Sequence, residues 1–167
     1  MMQQDKQREI FNNWLKAHKG LLFKVVRAYG HTVDDRDDLF QEISIQLWNS
    51  VPNFRQESAE TTWIYRVALF TAMGWSRKQN RDNIREQSFN ETEHMLIEKA
   101  KEQDSRLEWL YEQIAGLNAI DRSLTLLLLE GYSYREMSSI LGISENNVGV
   151  KINRIKKYFA QKSQELK

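Results

Sequence analysis

The sequence contains no cysteine, which excludes disulfide bonds, cysteine-ligated zinc and thiol catalysis and is typical of a reducing compartment. One proline and seven glycines in 167 residues leave few positions that would break a helix. No apolar run approaches the roughly 18 residues of a membrane-spanning helix, and the N-terminus MMQQDKQREI lacks a signal-peptide pattern. These absences predict an all-α, soluble, cytoplasmic protein that is not itself embedded in a membrane.

Apolar periodicity divides the chain into two helical regions. Residues 8–82 repeat apolar side chains at helical spacing, and Pro52 interrupts them because it disfavours helix at Val51. Residues 83–104 are polar, acidic and weakly patterned, which indicates a linker with at most one helical segment. Residues 105–165 form a second apolar-periodic region that ends in a basic stretch. We predict two small helical domains joined by this linker, the C-terminal one a helix-turn-helix.

The stretch VDDRDDLFQE holds five acids within residues 33–42, namely Asp34, Asp35, Asp37, Asp38 and Glu42. Asp34, Asp35 or Asp37 can cap a helix that begins here, and acids in its first turn complement the helix dipole. Asp34 and Asp38 lie one turn apart, so with Asp35 a site for a hard cation is conceivable. No second His or carboxylate pattern completes it, since the three histidines stand singly (His18, His31 and His94). We therefore predict no metal, no cofactor and no catalytic residue, and a helix start and a surface for another partner remain as the two interpretations of the acids.

The run from Ser133 to Phe159 indicates a helix-turn-helix. Ser133 and Glu136 have the spacing of a capping box, Gly142 can end the first helix in a left-handed turn, and Ser144 can cap the second. In this motif the exposed N-terminal residues of the second helix reach base edges in the major groove. An ordinary helical hairpin with a solvated basic face is the alternative. The candidate DNA-binding residues within 133–157 are Tyr134, Glu145, Asn146, Asn147, Lys151, Arg154 and Lys157.

A helix from about Thr61 to Arg81 combines aromatic and basic residues along one stripe. The stripe consists of Trp63, Arg66, Phe70, Arg77 and Arg81, and the opposite, buried stripe is predicted to be Ile64, Val67, Ala68, Thr71 and Trp75. Rings that stack on bases and arginines that hold phosphates suit single-stranded nucleic acid. The alternative is that both aromatic residues belong to the core and the arginines are merely solvated.

The segment DLFQEISIQLWNSVPNFRQESAETTWIYRVA resembles the pattern D-L-x-Q-E-x-F-x-x-L-W … F-R-x-E-S-x-x-x-T-W-L-Y-R-I-A of bacterial sigma factors, more narrowly those of the extracytoplasmic-function (ECF) group. LNAIDRSLTLLLLEGYSYREMSSILGISENNVGVKINRIKK is similar to their second DNA-binding domain. The resemblance implies a non-enzymatic subunit that directs RNA polymerase core to particular promoters, in a stress or envelope response. Residues 8–82 would then be sigma region 2 and residues 105–165 sigma region 4.

Carried onto this sequence, the resemblance implies three sets of binding residues. Core polymerase, through the clamp coiled coil of its largest subunit, would contact Asp38, Leu39, Gln41 and Glu42; the flap is a further expected partner. The −10 promoter element would be held by Phe54, Arg55, Trp63, Tyr65, Arg66 and Phe70, with Arg77, Lys78 and Arg81 along its backbone. The helix-turn-helix residues named above would bind the −35 element. An anti-sigma factor is also expected as a partner.

The sequence departs from the family pattern at four positions. Leu69, Phe70 and Gly74 stand where the family often has Arg, Asn and Asp, and Gly149 stands where it often has Lys. Polar base contacts expected at these positions are therefore missing, which puts promoter preference in question.

Three other functions are weighed against this one. A helix-turn-helix regulator that is not a polymerase subunit would need a receiver or ligand domain, of which residues 8–81 show no pattern. A helical hydrolase would need the incomplete metal site. An anti-sigma or scaffold protein would not need a basic recognition helix.

Overall fold

The computed structural model describes residues 2–83 and 104–166. Within these two ranges the regular structure is entirely helical, with eight α-helices and one short 3-10 helix. The chain divides into two compact units, residues 1–101 and residues 102–167. The predicted linker over 83–104 lies, apart from its two end residues, outside the described residues.

The first unit contains helices α1 to α4. Their bounds are α1 Met2–Ala17, α2 Lys19–Tyr29, α3 Val33–Ser50 and α4 Glu60–Asn83, with the 3-10 helix at Val51–Asn53. Helix α1 starts before the predicted boundary at residue 8, and Trp14 of this helix is buried. The side chains of Leu22, Leu39, Ile43 and Ile64 pack from α2, α3 and α4 into one core. Burial of these apolar surfaces is what holds the helices together.

The turn between α2 and α3 is fixed by side-chain hydrogen bonds. Helix α3 is capped by Thr32, whose Oγ1 accepts from the backbone N–H of Asp35 at 3.0 Å. The prediction that an aspartate caps this helix is therefore wrong, because Thr32 precedes the acids and already occupies the cap position. Asp34 and Asp35 lie in the first turn, where they complement the helix dipole.

The connection from α3 to α4 is held by an aromatic cluster. The Phe54 ring lies edge-on to Trp14 at 5.6 Å between centroids and tilted against Trp63 at 5.5 Å. Glu60, the first residue of α4, accepts from Trp14 Nε1 at 2.8 Å and pairs with His18 Nε2 at 3.0 Å. His18 is therefore part of this cluster and does not stand singly, as the sequence suggested.

Helix α4 has a wider buried face than its periodicity predicted. Ile64 and Ala68 are buried as predicted, whereas Val67, Thr71 and Trp75 are only half-buried. The remaining buried apolar positions are Tyr65, Leu69, Ala72 and Met73. The reason is that α4 packs against both α2 and α3, so two neighbouring rows of side chains face inward.

The second unit contains helices α5 to α8. Their bounds are α5 Ser105–Ala115, α6 Ala119–Leu129, α7 Tyr134–Leu141 and α8 Glu145–Glu165. Helix α6 is buried on all sides from Asp121 to Leu127. Arg122 within it donates to the carbonyl oxygens of Ala115 and Leu117, both at 2.8 Å, and so satisfies the C-terminal end of α5.

Helices α7 and α8 form the predicted helix-turn-helix. Ser133 and Glu136 exchange both hydrogen bonds of a capping box, at 3.1 Å and 3.0 Å. Gly142 ends α7 with φ 72°, the left-handed conformation in which a glycine carries no steric penalty. Ser144 Oγ accepts from the backbone N–H of Asn147 at 3.1 Å and caps α8. These caps determine where α7 begins and ends and where α8 begins. They thereby help to determine which side of α8 is exposed.

Candidate functional site

The outward side of α3 carries an acid face, which we define as Asp38, Gln41 and Glu42. All three are exposed, whereas Leu39 between them is 0% exposed and packs in the core with Ile43. This burial corrects the assignment of Leu39 as a core polymerase contact, because its side chain has no accessible surface. Leu39 instead fixes which side of α3 faces outward.

Arg36 does not neutralise the acid face. Its Nε atom donates to the carbonyl oxygen of Gly30 at 3.0 Å, and the side chain is half-buried. Burial, and to a smaller extent the charge of Arg27, lowers the pKa of Arg36, while Asp35 opposes this effect. The Arg36 guanidinium therefore stabilises the turn between α2 and α3. The carboxylates of Asp38 and Glu42 remain exposed to solvent.

The predicted aromatic and basic stripe is present on α4. Arg66, Phe70, Arg77 and Arg81 are exposed, as is Lys78 beside them. The Arg66 guanidinium lies 5.8 Å from the centroid of the Phe70 ring, a cation–π contact that holds the ring against the helix surface. Exposed rings flanked by arginines can stack on unpaired bases and hold their phosphates.

The remaining residues assigned to the −10 element differ in accessibility. Trp63 is half-buried and donates from Nε1 to Ser50 Oγ at 3.2 Å; Phe54 is half-buried in the same cluster, and Arg55 is exposed. Tyr65 is 1% exposed. Its assignment as a DNA contact is therefore corrected, because the ring packs in the core of the first unit. Trp63 and Phe54 are therefore only partly accessible to a ligand.

Two neighbouring grooves lie between α3 and α4 and share Phe70. One has a volume of about 600 Å³ and is lined by the acid face, Ile45, Phe70, Gly74 and Lys78, among others. The other has about 530 Å³ and is lined by Asn49, Trp63, Arg66 and Phe70, among others. Phe70 is 44% exposed and thus forms a ridge that a ligand in either groove would meet.

The exposed residues of α8 match most of the predicted −35 set. Glu145, Asn146, Asn147, Arg154 and Lys157 are exposed, whereas Lys151 is half-buried and lies toward the flank of the helix. The Tyr134 side chain of α7 is 37% exposed, and its ring lies beside Gly149, about 3.8 Å from the position that a Cβ would occupy there. The second unit therefore presents one polar, basic side of α8.

Sequence reasoning missed two residues on this side of α8. Val150 and Asn153 are both exposed, and Val150 is 53% exposed although it is apolar. The spacing could have identified both, because three buried residues of α8, Val148, Ile152 and Ile155, define the inward direction. Counting from those positions places Val150 and Lys157 nearest to the outward direction, and Lys151 at the side.

No three His, Cys, Asp or Glu side chains come together in the described part of the chain in an arrangement that could hold a metal ion. None of the helices described is both long and apolar enough to cross a membrane.

Comparison with known proteins assigns both units. Residues 14–82 match Sigma-70 region 2, and residues 107–158 match Sigma-70, region 4. The ECF RNA polymerase sigma-E factor of Haemophilus influenzae is 30% identical over 145 residues, which cover 80% of this chain and 77% of that protein. The chain belongs to the ECF group of sigma-70 factors. Like other members, this sigma factor binds RNA polymerase core and directs promoter-specific transcription initiation.

Other relatives agree with this assignment. The RNA polymerase sigma factor YlaC of Bacillus subtilis is 25% identical over 161 residues, covering 92% of this chain and 90% of that protein. Among solved structures, the sigma factor RpoE of Bartonella quintana, bound to the anti-sigma factor NepR, matches with a TM-score of 0.70 at 16% identity, over 92% of this chain and 96% of that one. CnrH bound to the cytosolic domain of CnrY matches with a TM-score of 0.65 at 19% identity, over 95% and 90% of the two chains. At these identities the structural likeness concerns the fold.

The departures from the sigma-factor pattern have different structural consequences. Leu69 is fully buried, so it has joined the core of the first unit. Phe70 is exposed at a position where the family often has asparagine. Its ring can stack on a base, whereas an asparagine side chain could form hydrogen bonds with it. Gly74 lines the groove next to the acid face, and a Cβ there would meet only Arg77 Nη2, at 3.9 Å.

Proposed function

We propose that the two units of this sigma factor bind different partners. The first unit docks on core polymerase through the acid face of α3 and holds the opened −10 strand along the exposed stripe of α4. The second unit places α8 in the major groove of the −35 element. Strand opening is then a binding event without catalysis, in which captured bases offset an unstacking cost of a few kcal/mol.

The observation that carries this proposal is the separation of charge on the first unit. Exposed carboxylates occupy the α3 side of the larger groove, and exposed arginines follow α4 around Phe70. An acidic face cannot bind a phosphate backbone favourably, whereas it complements a basic protein helix. Two partners of opposite charge therefore fit two neighbouring faces of one helical unit.

Transcription in vitro tests the proposal directly. Core polymerase freed of its own sigma factor is mixed with the chain and with fragmented genomic DNA of the source cell, and start sites are mapped. We expect starts that share one −35 and one −10 sequence and that appear only when the chain is added. Scattered starts, or promoter binding that is equally tight without core, would contradict it, because the net charge of +1 supplies little electrostatic attraction for DNA.

The helix-turn-helix regulator that acts outside polymerase is not favoured, because the first unit matches the core-binding region of sigma factors. We also propose an anti-sigma factor as a regulatory partner and the cytoplasm as the site of action. Support comes from the two solved relatives, one of which is bound to an anti-sigma factor and the other to a cytosolic domain. A purified candidate partner should block start-site selection when it is added before core, and a partner that binds without inhibiting transcription would not qualify.

A further inference from the structure

Val150 of α8 has no evident structural role. It is 53% exposed, so it contributes little to the core of the second unit. A β-branched side chain is also less favourable in an exposed helix position than Ala, Lys or Glu. Neither burial nor helix propensity therefore explains a valine at this position.

The position of Val150 is central to the exposed side of α8. An α-helix turns by about 100° per residue, and on this count Val150 points almost directly away from the buried residues Val148, Ile152 and Ile155. The exposed polar side chains of Asn146, Asn147 and Arg154 surround it. Gly149 precedes it and adds no side chain that could shield it on that side.

The major groove offers one apolar group that an aliphatic side chain can recognise. Thymine carries a C5-methyl group there, whereas the other base edges present hydrogen-bond donors and acceptors. An isolated aliphatic side chain among amides and an arginine is therefore suited to a thymine within an otherwise polar contact surface. The methyl group distinguishes thymine from cytosine and from uracil at the same place.

We infer that Val150 is a specificity-determining residue of this sigma factor, which contacts the C5-methyl group of a thymine in the −35 element. The inference rests on the proposed function in so far as α8 must enter the major groove. It predicts that the −35 sequence contains a thymine whose methyl group, and not only its hydrogen-bonding edge, contributes to binding. Asn146, Asn147 and Arg154 would bind the base edges or phosphates on either side.

The experiment uses the full chain bound to core polymerase and begins with selection from a duplex library randomised across the −35 region. In the enriched duplex each dT is then replaced singly by dU, which removes only the methyl group, and the Kd of the holoenzyme is measured. We expect one dU replacement to weaken wild-type binding about fourfold, the factor that corresponds to one buried methyl or methylene group. The same replacement should change binding by Val150→Ala less than about 1.5-fold, whereas Val150→Ile should keep the wild-type response.

A matched control is available in the same unit. Leu129, at the end of α6, is an aliphatic residue that is 57% exposed and lies outside the helix-turn-helix. Leu129→Ala should leave the response to every dU replacement as in the wild type. An identical dU profile for wild type and Val150→Ala, or a wild type that responds to no dU, would overturn the inference.

Failure of this inference is distinguishable from failure of the proposed function. If α8 does not enter the major groove, the wild-type holoenzyme will enrich no −35 sequence and Arg154→Ala will not weaken binding. If α8 does enter the groove and Val150 is only a solvated side chain, a −35 sequence will be enriched, Arg154→Ala will weaken binding, and the dU profile will be insensitive to residue 150.

Discussion

The Nε atom of Arg36 donates a hydrogen bond to the carbonyl oxygen of Gly30 at 3.0 Å, and this contact takes the only basic residue of VDDRDDLFQE away from the acid face. One ten-residue stretch thereby supplies both the cation of the turn and the carboxylates of the proposed docking surface. The turn leaves no space at Gly30, where a Cβ would approach Arg36 Cγ to 2.7 Å and both Arg36 N and Val26 O to 3.1 Å.

Gly30→Ala should therefore destabilise the chain by about 1–3 kcal/mol, the usual cost of overpacking, since backbone atoms as well as a side chain stand in the way. Urea unfolding followed by circular dichroism measures the change. Gly20→Ala in α2 is the matched control, because no atom lies within 4 Å of a Cβ there. The control should gain about 0.5–1 kcal/mol from helix propensity. Equal effects of the two substitutions would contradict the close approach at Gly30.

Glu42→Lys should weaken binding to core polymerase on the order of tenfold or more, because it places a cation opposite a basic partner surface. The only hydrogen bond that the substitution disturbs in the described structure is a 3.4 Å contact from Gln46, at an exposed position, so the fold should be retained. Affinity is measured by fluorescence titration of labelled chain with core. Glu9→Lys makes the same charge change at an exposed position of α1. If both variants lose affinity equally, net charge and not the acid face is responsible.

Phe70→Ala should reduce the amount of open promoter complex about tenfold, since one base–aromatic stacking contact is worth about 1–3 kcal/mol. Permanganate reactivity of unpaired thymines in the −10 region reports the opening. Phe70→Trp should retain most of it, and Phe23→Ala removes an exposed ring from α2 as a control. Full opening by Phe70→Ala would exclude a stacking role for this ring.

Gly74→Ala should stabilise the first unit by about 0.5–1 kcal/mol, because this glycine lies inside α4 and a Cβ has room there. The thermal unfolding midpoint should rise accordingly. Because Gly74 also lines the groove beside the acid face, core affinity of the same variant is informative. If the partner contacts only the outward side of Asp38, Gln41 and Glu42, the affinity for core should be unchanged. A large loss of affinity would show that the partner enters the groove.

Glu136 links the stability of the helix-turn-helix to pH. Hydrogen bonds from the backbone and side chain of Ser133 lower the pKa of the Glu136 carboxyl group in the folded state. A lowered folded pKa stabilises the fold above the unfolded pKa, and this contribution is lost as the pH falls through the folded pKa. Glu136→Ala should therefore destabilise the chain more at pH 7 than near pH 3. The carboxyl titration of Glu136, followed by NMR, should lie below the ordinary pKa of a glutamate side chain, and a titration at the ordinary value would contradict the shift.

Much of the helix-turn-helix could be predicted because its determinants are local. Ser133, Glu136, Gly142 and Ser144 act within three or four residues of their own position, so their spacing defines caps and turn without reference to the rest of the chain. The two helical regions and the basic side of α8 were predicted in the same way, from periodicity and charge. Whether the residues assigned to core polymerase and DNA bind these partners stays a prediction.

Apart from the cap at Thr32, which accepts from Asp35 only three residues away, the errors concern residues whose environment comes from distant parts of the chain. Thr32 took the cap expected of an aspartate, and His18 joined Glu60 across 42 positions of sequence. Leu39 and Tyr65 sit in family motifs, yet contacts with neighbouring helices bury them, so the motif is partly a packing pattern. The side chain of Tyr65 is buried because α4 packs against both α2 and α3.

The sequence by itself determined that this protein is a two-unit, all-helical sigma factor with acids on α3, a basic stripe on α4 and a capped helix-turn-helix. Composition, periodicity and short-range hydrogen bonds are sufficient for the helices, the charge patterns and the caps, because each acts along the chain, whereas the family follows from the resemblance of two sequence motifs to those of sigma factors. Only the tertiary structure decided which of the motif residues are accessible to a partner, since burial depends on which helices pack together. It removed Leu39 and Tyr65 from the proposed binding surfaces and turned Arg36 toward Gly30.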